Sequence, residues 1–205
     1  MIASLTPIDV VIKHFDDVDP VIARVLPQIN WSEWFEDRST SDHFYNLTRN
    51  IIYQQLAGKA ASTIFGRFEN LVKVVVPQNV VAIEDQQLRD AGLSWAKVKY
   101  VKDLADKVIK AEINLTKIDS MTNEEVITEL TKVKGIGRWT AEMFLLFTLH
   151  REDIFSYGDL GLKNGFAKLY GIDNPSIDDI KKVIGAWHPF ESYASIALWH
   201  TLDNR

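Results

Sequence analysis

Gly135-Ile136-Gly137 interrupts an otherwise helical pattern, and no other stretch restricts the fold as much. Upstream, Thr122 and Glu125 have the spacing of a capping box, and Val126, Ile127, Leu130 and Val133 supply one apolar face. Downstream, Trp139, Met143, Leu146 and Phe147 resume the helical period from about Arg138. Two glycines in three residues make poor helix interior, because glycine loses the most backbone freedom on ordering. Residues 122–147 are therefore expected to form a helix, a tight hairpin and a second helix. The second helix would present its unpaired N–H groups and positive dipole end at the turn. Lys132, Lys134 and Arg138 add positive charge there, with no acidic residue between Glu129 and Glu142. Small glycines let an anion approach the backbone closely, which suits a phosphate. A ligand-free connection between helices gives the same local pattern, so the rest of the chain must decide.

That remainder is also helical in pattern. Asp42 is positioned to cap a helix with apolar positions Tyr45, Leu47, Ile51, Ile52 and Leu56, and the pattern resumes through Ile64, Phe65, Phe68 and Leu71. VKVVVP, residues 72–77, is too short to make a sheet alone and reads as a helix end or connector. Further helices are expected over Ile83–Ala91, Ala96–Ala111 and Ile177–Ala186. The fold class is all-α. Among 205 residues there is no cysteine, which excludes disulfides, thiolate metal sites and an iron–sulfur cluster. No apolar run approaches the roughly 20 residues of a membrane helix, and Met1-Ile2-Ala3-Ser4-Leu5 lacks the features of a signal peptide. An intracellular protein with no membrane partner is expected. The net charge of −5 argues against nucleic acid only as an average, since a local basic face suffices.

Residues 133–147, VKGIGRWTAEMFLLF, resemble the helix-hairpin-helix of the DNA glycosylase superfamily, whose usual form is Leu-Pro-Gly-Ile/Val-Gly-x-x-Thr-Ala. Gly135, Gly137, Thr140 and Ala141 keep that form, while Lys134 stands where the family usually has proline. This departure is expected to loosen the hairpin slightly and to add a charge. IIYQQLAGKAAS is similar to the family's Ile-Ile-x-Gln-Gln-Leu/Ile-Ser, and GLSWAKVKYVKDLA to its Gly-Leu-Ser-x-x-Lys-x-x-Tyr-Leu. Gly158-Asp159-Leu160-Gly161-Leu162 resembles a segment of alkylbase glycosylases, and WHPFESYASIALW their Trp-x-Pro-Trp-Arg-Ser-x-Ala. Five motifs in family order across residues 50–199 point to the DNA-3-methyladenine glycosylase II family.

The resemblance implies a two-lobed helical glycosylase core with an active-site cleft between the lobes. Lobe A would comprise about residues 1–40 and 155–205, and lobe B about 41–154 with the hairpin 122–147. The extra N-terminal β-rich domain of some relatives is not expected, since about 40 residues precede the first motif. The implied partner is damaged duplex DNA, bound by a monomer, and the implied reaction is excision of 3-methyladenine and 7-methylguanine.

Site residues follow by position. Asp159, 20 residues after Trp139, matches the catalytic aspartate; from spacing alone it reads equally as a helix-capping residue. Bifunctional members carry a lysine nucleophile where this chain has Trp139, so a monofunctional enzyme is implied. Trp139 is expected to stack on an extruded base or, as a large aromatic on a helix, to pack in the core. Phe190 aligns with a pocket tryptophan, and Glu191 replaces the arginine beside it. Tyr53 and Tyr157 are pocket candidates or ordinary half-buried tyrosines. Gln54, Gln55 and Leu56 match the loop that fills the gap left by the base, the wedge falling on Gln55 or Leu56 according to register.

Lys134, Gly135, Gly137, Arg138 and Thr140 are the implied phosphate-binding hairpin. No cofactor is required, although the carbonyls of Thr131, Val133 and Ile136 match those that hold Na+ or K+ in the superfamily. Lys97, Lys99 and Lys102 read as a solvated face or as a second phosphate contact. Acidic residues such as Glu33, Glu36, Asp37, Asp173, Asp178 and Asp179 are expected away from the hairpin. Two other readings share the pattern: a uracil- or mismatch-directed glycosylase of the same fold, and a DNA-binding module without chemistry. A helical scaffold with an unrelated partner would show no DNA affinity.

Overall fold

A computed structural model describes residues 5–32 and 42–203, and among these there are helices and no strand. In chain order the helices begin with α1 (Ile8–Val18), α2 (Pro20–Ala23), α3 (His43–Tyr53), α4 (Gly58–Val72), α5 (Pro77–Ala82) and α6 (Asp85–Asp90). They continue with α7 (Trp95–Ile109), α8 (Asn123–Leu130), α9 (Arg138–Phe147), α10 (Leu160–Tyr170), α11 (Ile177–Ile184) and α12 (Glu191–Asp203). Glu33, Glu36 and Asp37 lie outside the described residues.

Local chemistry sets most of the helix starts. The Asp42 carboxylate accepts from the N–H groups of Phe44 and Tyr45 at the head of α3, and the Thr122–Glu125 capping box forms at α8. Several expected boundaries move. Pro77 opens α5 at a first-turn position that needs no N–H, leaving only residues 73–76 as connector. The helix expected from Ile83 starts instead at Asp85, because Ile83 is extended and Glu84 with Gln87 forms another capping box. Ser94 caps α7, which ends at Ile109 rather than at Ala111.

Two compact units divide the chain: Met1–Glu36 with Leu145–Arg205, and Asp37–Phe144. The boundary falls inside α9, so residues 145–154 group with the first unit. In the first unit Phe15, Ile22, Leu26, Phe166, Trp187 and Tyr193 are buried. Each such side chain contributes about 1.5–3 kcal/mol on leaving water. Asp19, also buried, ties this core together. Its Oδ1 caps α2 through the N–H groups of Val21 and Ile22, and its Oδ2 accepts from Tyr170 Oη at 2.5 Å and Trp187 Nε1 at 2.7 Å. Burial and that carboxylate push the Tyr170 hydroxyl far above its ordinary value of 10.0. The second unit closes around Leu47, Ile51, Phe68, Leu88, Val101, Leu104, Val126 and Phe144.

Candidate functional site

The hairpin is built as its residues require. Gly135 has φ +83°, and a Cβ there would lie 2.2 Å from Cδ2 of the Tyr100 ring, so conformation and space both demand glycine. A Cβ on Gly137 would meet nothing within 4 Å. The fold does not ask for glycine at 137, where the main chain enters α9 and the Gly137 carbonyl accepts the N–H of Ala141 at 3.1 Å.

One face of α7 supports this unit's turn and the loop after α3. Lys97 Nζ donates to the carbonyls of Ile52 at 2.8 Å and Gln54 at 2.7 Å, and burial lowers its pKa. Tyr100 lies against Gly135, and Asp103 accepts the N–H of Lys134 at 2.8 Å. Lys97 is therefore half-buried, with its ammonium engaged by two carbonyls. Lys102 is likewise engaged, on the carbonyls of Val81 and Ile83 and on Asp85 at 2.9 Å.

The candidate wedge residues divide. Gln54 turns its amide to the hairpin, donating to the Gly135 carbonyl at 3.0 Å and to Thr140 Oγ1 at 3.3 Å. Thr140 is buried, so its hydroxyl supports the loop from within. Gln55 has φ +58° and is exposed, and Leu56 is 37% exposed beside it. The tip is thus a left-handed glutamine followed by an open leucine.

Charge around the hairpin is more balanced than a local window implies. Lys132 pairs with Glu129 at 2.5 Å, and Lys134 with Asp103 at 3.3 Å. Arg138 pairs with Glu124 at 2.5 Å and with Glu142 at 2.9 Å. The hydrogen bonds to Glu124 raise the Arg138 pKa, and the same contacts lower that of Glu124. In the same unit Trp139 is 47% exposed on the first turn of α9, which removes the core-packing reading. Tyr53 is half-buried, with the Arg49 guanidinium 4.3 Å from its ring centre.

The first unit holds Asp159 at the head of α10. Its Oδ1 accepts the Leu162 N–H at 2.7 Å and the Trp199 indole N–H at 3.1 Å. The capping position that spacing allows is therefore occupied, by a half-buried carboxylate that also accepts the indole N–H. Trp199 in turn stacks on Phe147, with ring centres 5.9 Å apart. A Cβ on Gly161 would sit 2.9 Å from Asp159 Oδ1 and 3.0 Å from Trp199 Nε1, so only glycine admits this contact. Tyr157 is 41% exposed, its hydroxyl pKa raised by burial and by Glu191. Phe190 is only 9% exposed and packs against His14 and Tyr193. Asp173 and Asp178 are exposed in this unit. Trp199 and Gly161 are the neighbours of Asp159 that residue spacing did not single out. Their signal was present in the Gly-Asp-Leu-Gly string and in the final tryptophan of WHPFESYASIALW.

The helix, glycine-bearing hairpin and second helix lie within the stretch that places this chain in a class of DNA repair protein. Residues 48–189 match the HhH-GPD superfamily of base excision DNA repair proteins, and the chain belongs to that superfamily. Within it, the chain is similar to a DNA-3-methyladenine glycosidase from Bacillus halodurans, with 33% identity and a TM-score of 0.75 over 91% of this chain and 90% of that one. It is also similar to a Schizosaccharomyces pombe 3-methyladenine DNA glycosylase solved with abasic DNA, with 28% identity and a TM-score of 0.72 over 94% and 96% of the two chains. The S. pombe DNA-3-methyladenine glycosylase 1 sequence is 29% identical in an alignment of 206 residues that covers 98% of this chain and 89% of that protein. No described helix is long and apolar enough to cross a membrane.

Proposed function

We propose that this chain is a monofunctional DNA glycosylase that releases N-alkylated purines, such as 3-methyladenine and 7-methylguanine, from duplex DNA. The observation that carries the reading is the Asp159 carboxylate, fixed through Oδ1 by the Leu162 N–H and the Trp199 indole. The relatives named as 3-methyladenine glycosylases support the substrate class. A stacked base is out of reach, so it is first rotated out of the duplex. Gln55 or Leu56 fills the gap, while phosphate approaches the main chain at Gly137 and the N-terminus of α9. The extruded base carries positive charge, and the exposed Trp139 face attracts it by about 0.5–2 kcal/mol. Phe190, Tyr53 and Tyr157 are carried over from the resemblance as further candidates for contact with the base.

The positive charge makes the base a good leaving group. As the N-glycosidic bond breaks, its electron pair stays with the base, which departs neutral, and the sugar takes oxocarbenium character. Asp159 stabilises that cation and orients or deprotonates the water whose oxygen bonds to C1′. The water proton leaves to solvent, and the product is an abasic site. With tryptophan at 139 in place of a lysine nucleophile, no Schiff base and no strand cleavage follow.

The reading includes a monomeric protein acting on DNA inside the cell and needing no cofactor for chemistry. A monovalent cation fits the hairpin. Among the described residues nothing donates to the carbonyls of Thr131 and Ile136, and that of Val133 accepts only the Ile136 N–H at 3.1 Å. These three oxygens would hold the ion, whose charge adds to the attraction for phosphate.

The test is base release from methylated duplex DNA by wild type and Asp159→Asn, with strand nicking scored before and after alkali. Release by wild type, loss in the variant and nicks only after alkali are expected. DNA binding without release of any base would instead mark a binding module.

A further inference from the structure

We propose that Asp103 is a positioning residue for DNA binding, supplying from α7 the constraint that a proline supplies in the hairpins this one resembles. The proposal rests on the reading of the hairpin as a phosphate contact. Proline fixes φ and has no N–H. Lys134 has the N–H and the greater freedom, and both are taken up by one carboxylate. The Lys134 N–H donates to Asp103 Oδ2 at 2.8 Å, and its ammonium lies 3.3 Å from Oδ1.

The Asp103 side chain is 13% exposed and that of Lys134 is 74% exposed, so the aspartate is the fixed end of the pair. Among the described residues Asp103 also faces Lys107, 3.9 Å from Oδ2 and itself 3.3 Å from Glu112. One turn before Asp103, Tyr100 occupies the space beside Gly135. Residues 134 and 135 are thus held against one face of α7 from two points. A turn held in this way loses less freedom when phosphate binds, so affinity is gained without any new contact to DNA. Losing the hold should weaken binding and leave the reacting atoms alone.

The experiment is a double-mutant cycle read as Kd for a duplex carrying a tetrahydrofuran abasic-site analogue, with thermal melting as the check on folding. Asp103→Ala is expected to raise Kd about tenfold, the scale of one charge-assisted hydrogen bond. In a Lys134→Pro background the same change should alter Kd less than about twofold, because no N–H remains to be held. In a Lys134→Ala background, which keeps the N–H, the tenfold loss should persist. Asp103→Asn, which keeps an acceptor, should stay within about threefold of wild type.

The single-turnover rate of base release at saturating DNA should not change in Asp103→Ala. Equal losses in the wild-type and Lys134→Pro backgrounds would overturn the proposal, as would no loss in either or a fall in the saturated rate. Should Lys134→Pro fail to fold, equal weakening by Asp103→Asn and Asp103→Ala overturns it. The cycle is read on binding, so a wild type that binds DNA and releases no base refutes the glycosylase reading alone. A wild type with no affinity for the duplex refutes both.

Discussion

Replacing Gly135 and Gly137 by alanine, one at a time, separates what the hairpin needs in order to fold from what it needs in order to bind. At Gly135 the added Cβ would lie 2.2–2.5 Å from three atoms of the Tyr100 ring, at a backbone φ of +83°. The left-handed backbone costs an alanine about 1–2 kcal/mol. Displacing a ring from a packed position adds about 1–3 kcal/mol. Together these predict a loss of about 2–5 kcal/mol, or roughly 4–20 °C in Tm for a chain of this size. At Gly137 the Cβ meets nothing within 4 Å.

There the weaker capping ability of alanine, under about 1 kcal/mol, is offset by about 0.4–1 kcal/mol from a less flexible unfolded chain. Stability should change by less than about 1 kcal/mol. The open space at Gly137 is where the phosphate oxygen is expected to come closest, so Gly137→Ala should raise the Kd for duplex DNA by about tenfold or more. Differential scanning calorimetry and fluorescence anisotropy on both variants give the comparison. A Gly137→Ala protein that binds as wild type does would refute the phosphate approach. A Gly135→Ala protein that melts as wild type does would refute the Tyr100 contact.

Trp199→Phe keeps a ring beside Phe147 but removes the N–H on Asp159, so single-turnover base release should slow about tenfold while Kd holds. Glu124→Gln releases one of the two partners of Arg138, which should tighten duplex binding at low salt and steepen the dependence of log K on log salt by up to about 0.9. The capping-box carboxylate Glu125 is held below its ordinary 4.5 by the N–H and hydroxyl of Thr122. A depressed folded-state pKa contributes stability above the unfolded value and loses it as pH falls through the folded value. The stability gap between wild type and Glu125→Ala should therefore close as urea melts are repeated from neutral pH to below 4.5.

Elements with strong local signals were legible in the sequence. Asp42 and the Thr122–Glu125 pair mark helix starts because a cap is satisfied within three residues of itself. The start near Ile83 was misplaced because apolar periodicity outweighed the Glu84–Gln87 box, which fixes the true first turn. Asp159 takes the helix-head position that its spacing allows, and the indole it accepts from lies 40 residues on, outside any local window. The tasks of Lys97 and Gln54 were equally hidden. A lysine that caps carbonyls 43 and 45 residues away has the same local sequence as one in solvent.

The three hairpin cations show the same limit and carry a consequence for binding. Arg138 and Glu142 are i,i+4 neighbours, and that pair could be read from spacing. Asp103 and Glu124 reach the turn from 31 and 14 residues away. In the free protein, Lys132, Lys134 and Arg138 each face at least one carboxylate. Any gain from pairing them with phosphate is reduced by the ion pair it displaces. At Gly137, by contrast, an added Cβ would meet nothing within 4 Å, so the main chain there lies open to close approach. Affinity at this turn should therefore rest chiefly on how closely phosphate approaches the main chain at Gly137, which a net charge of −5 averaged over the chain does not oppose.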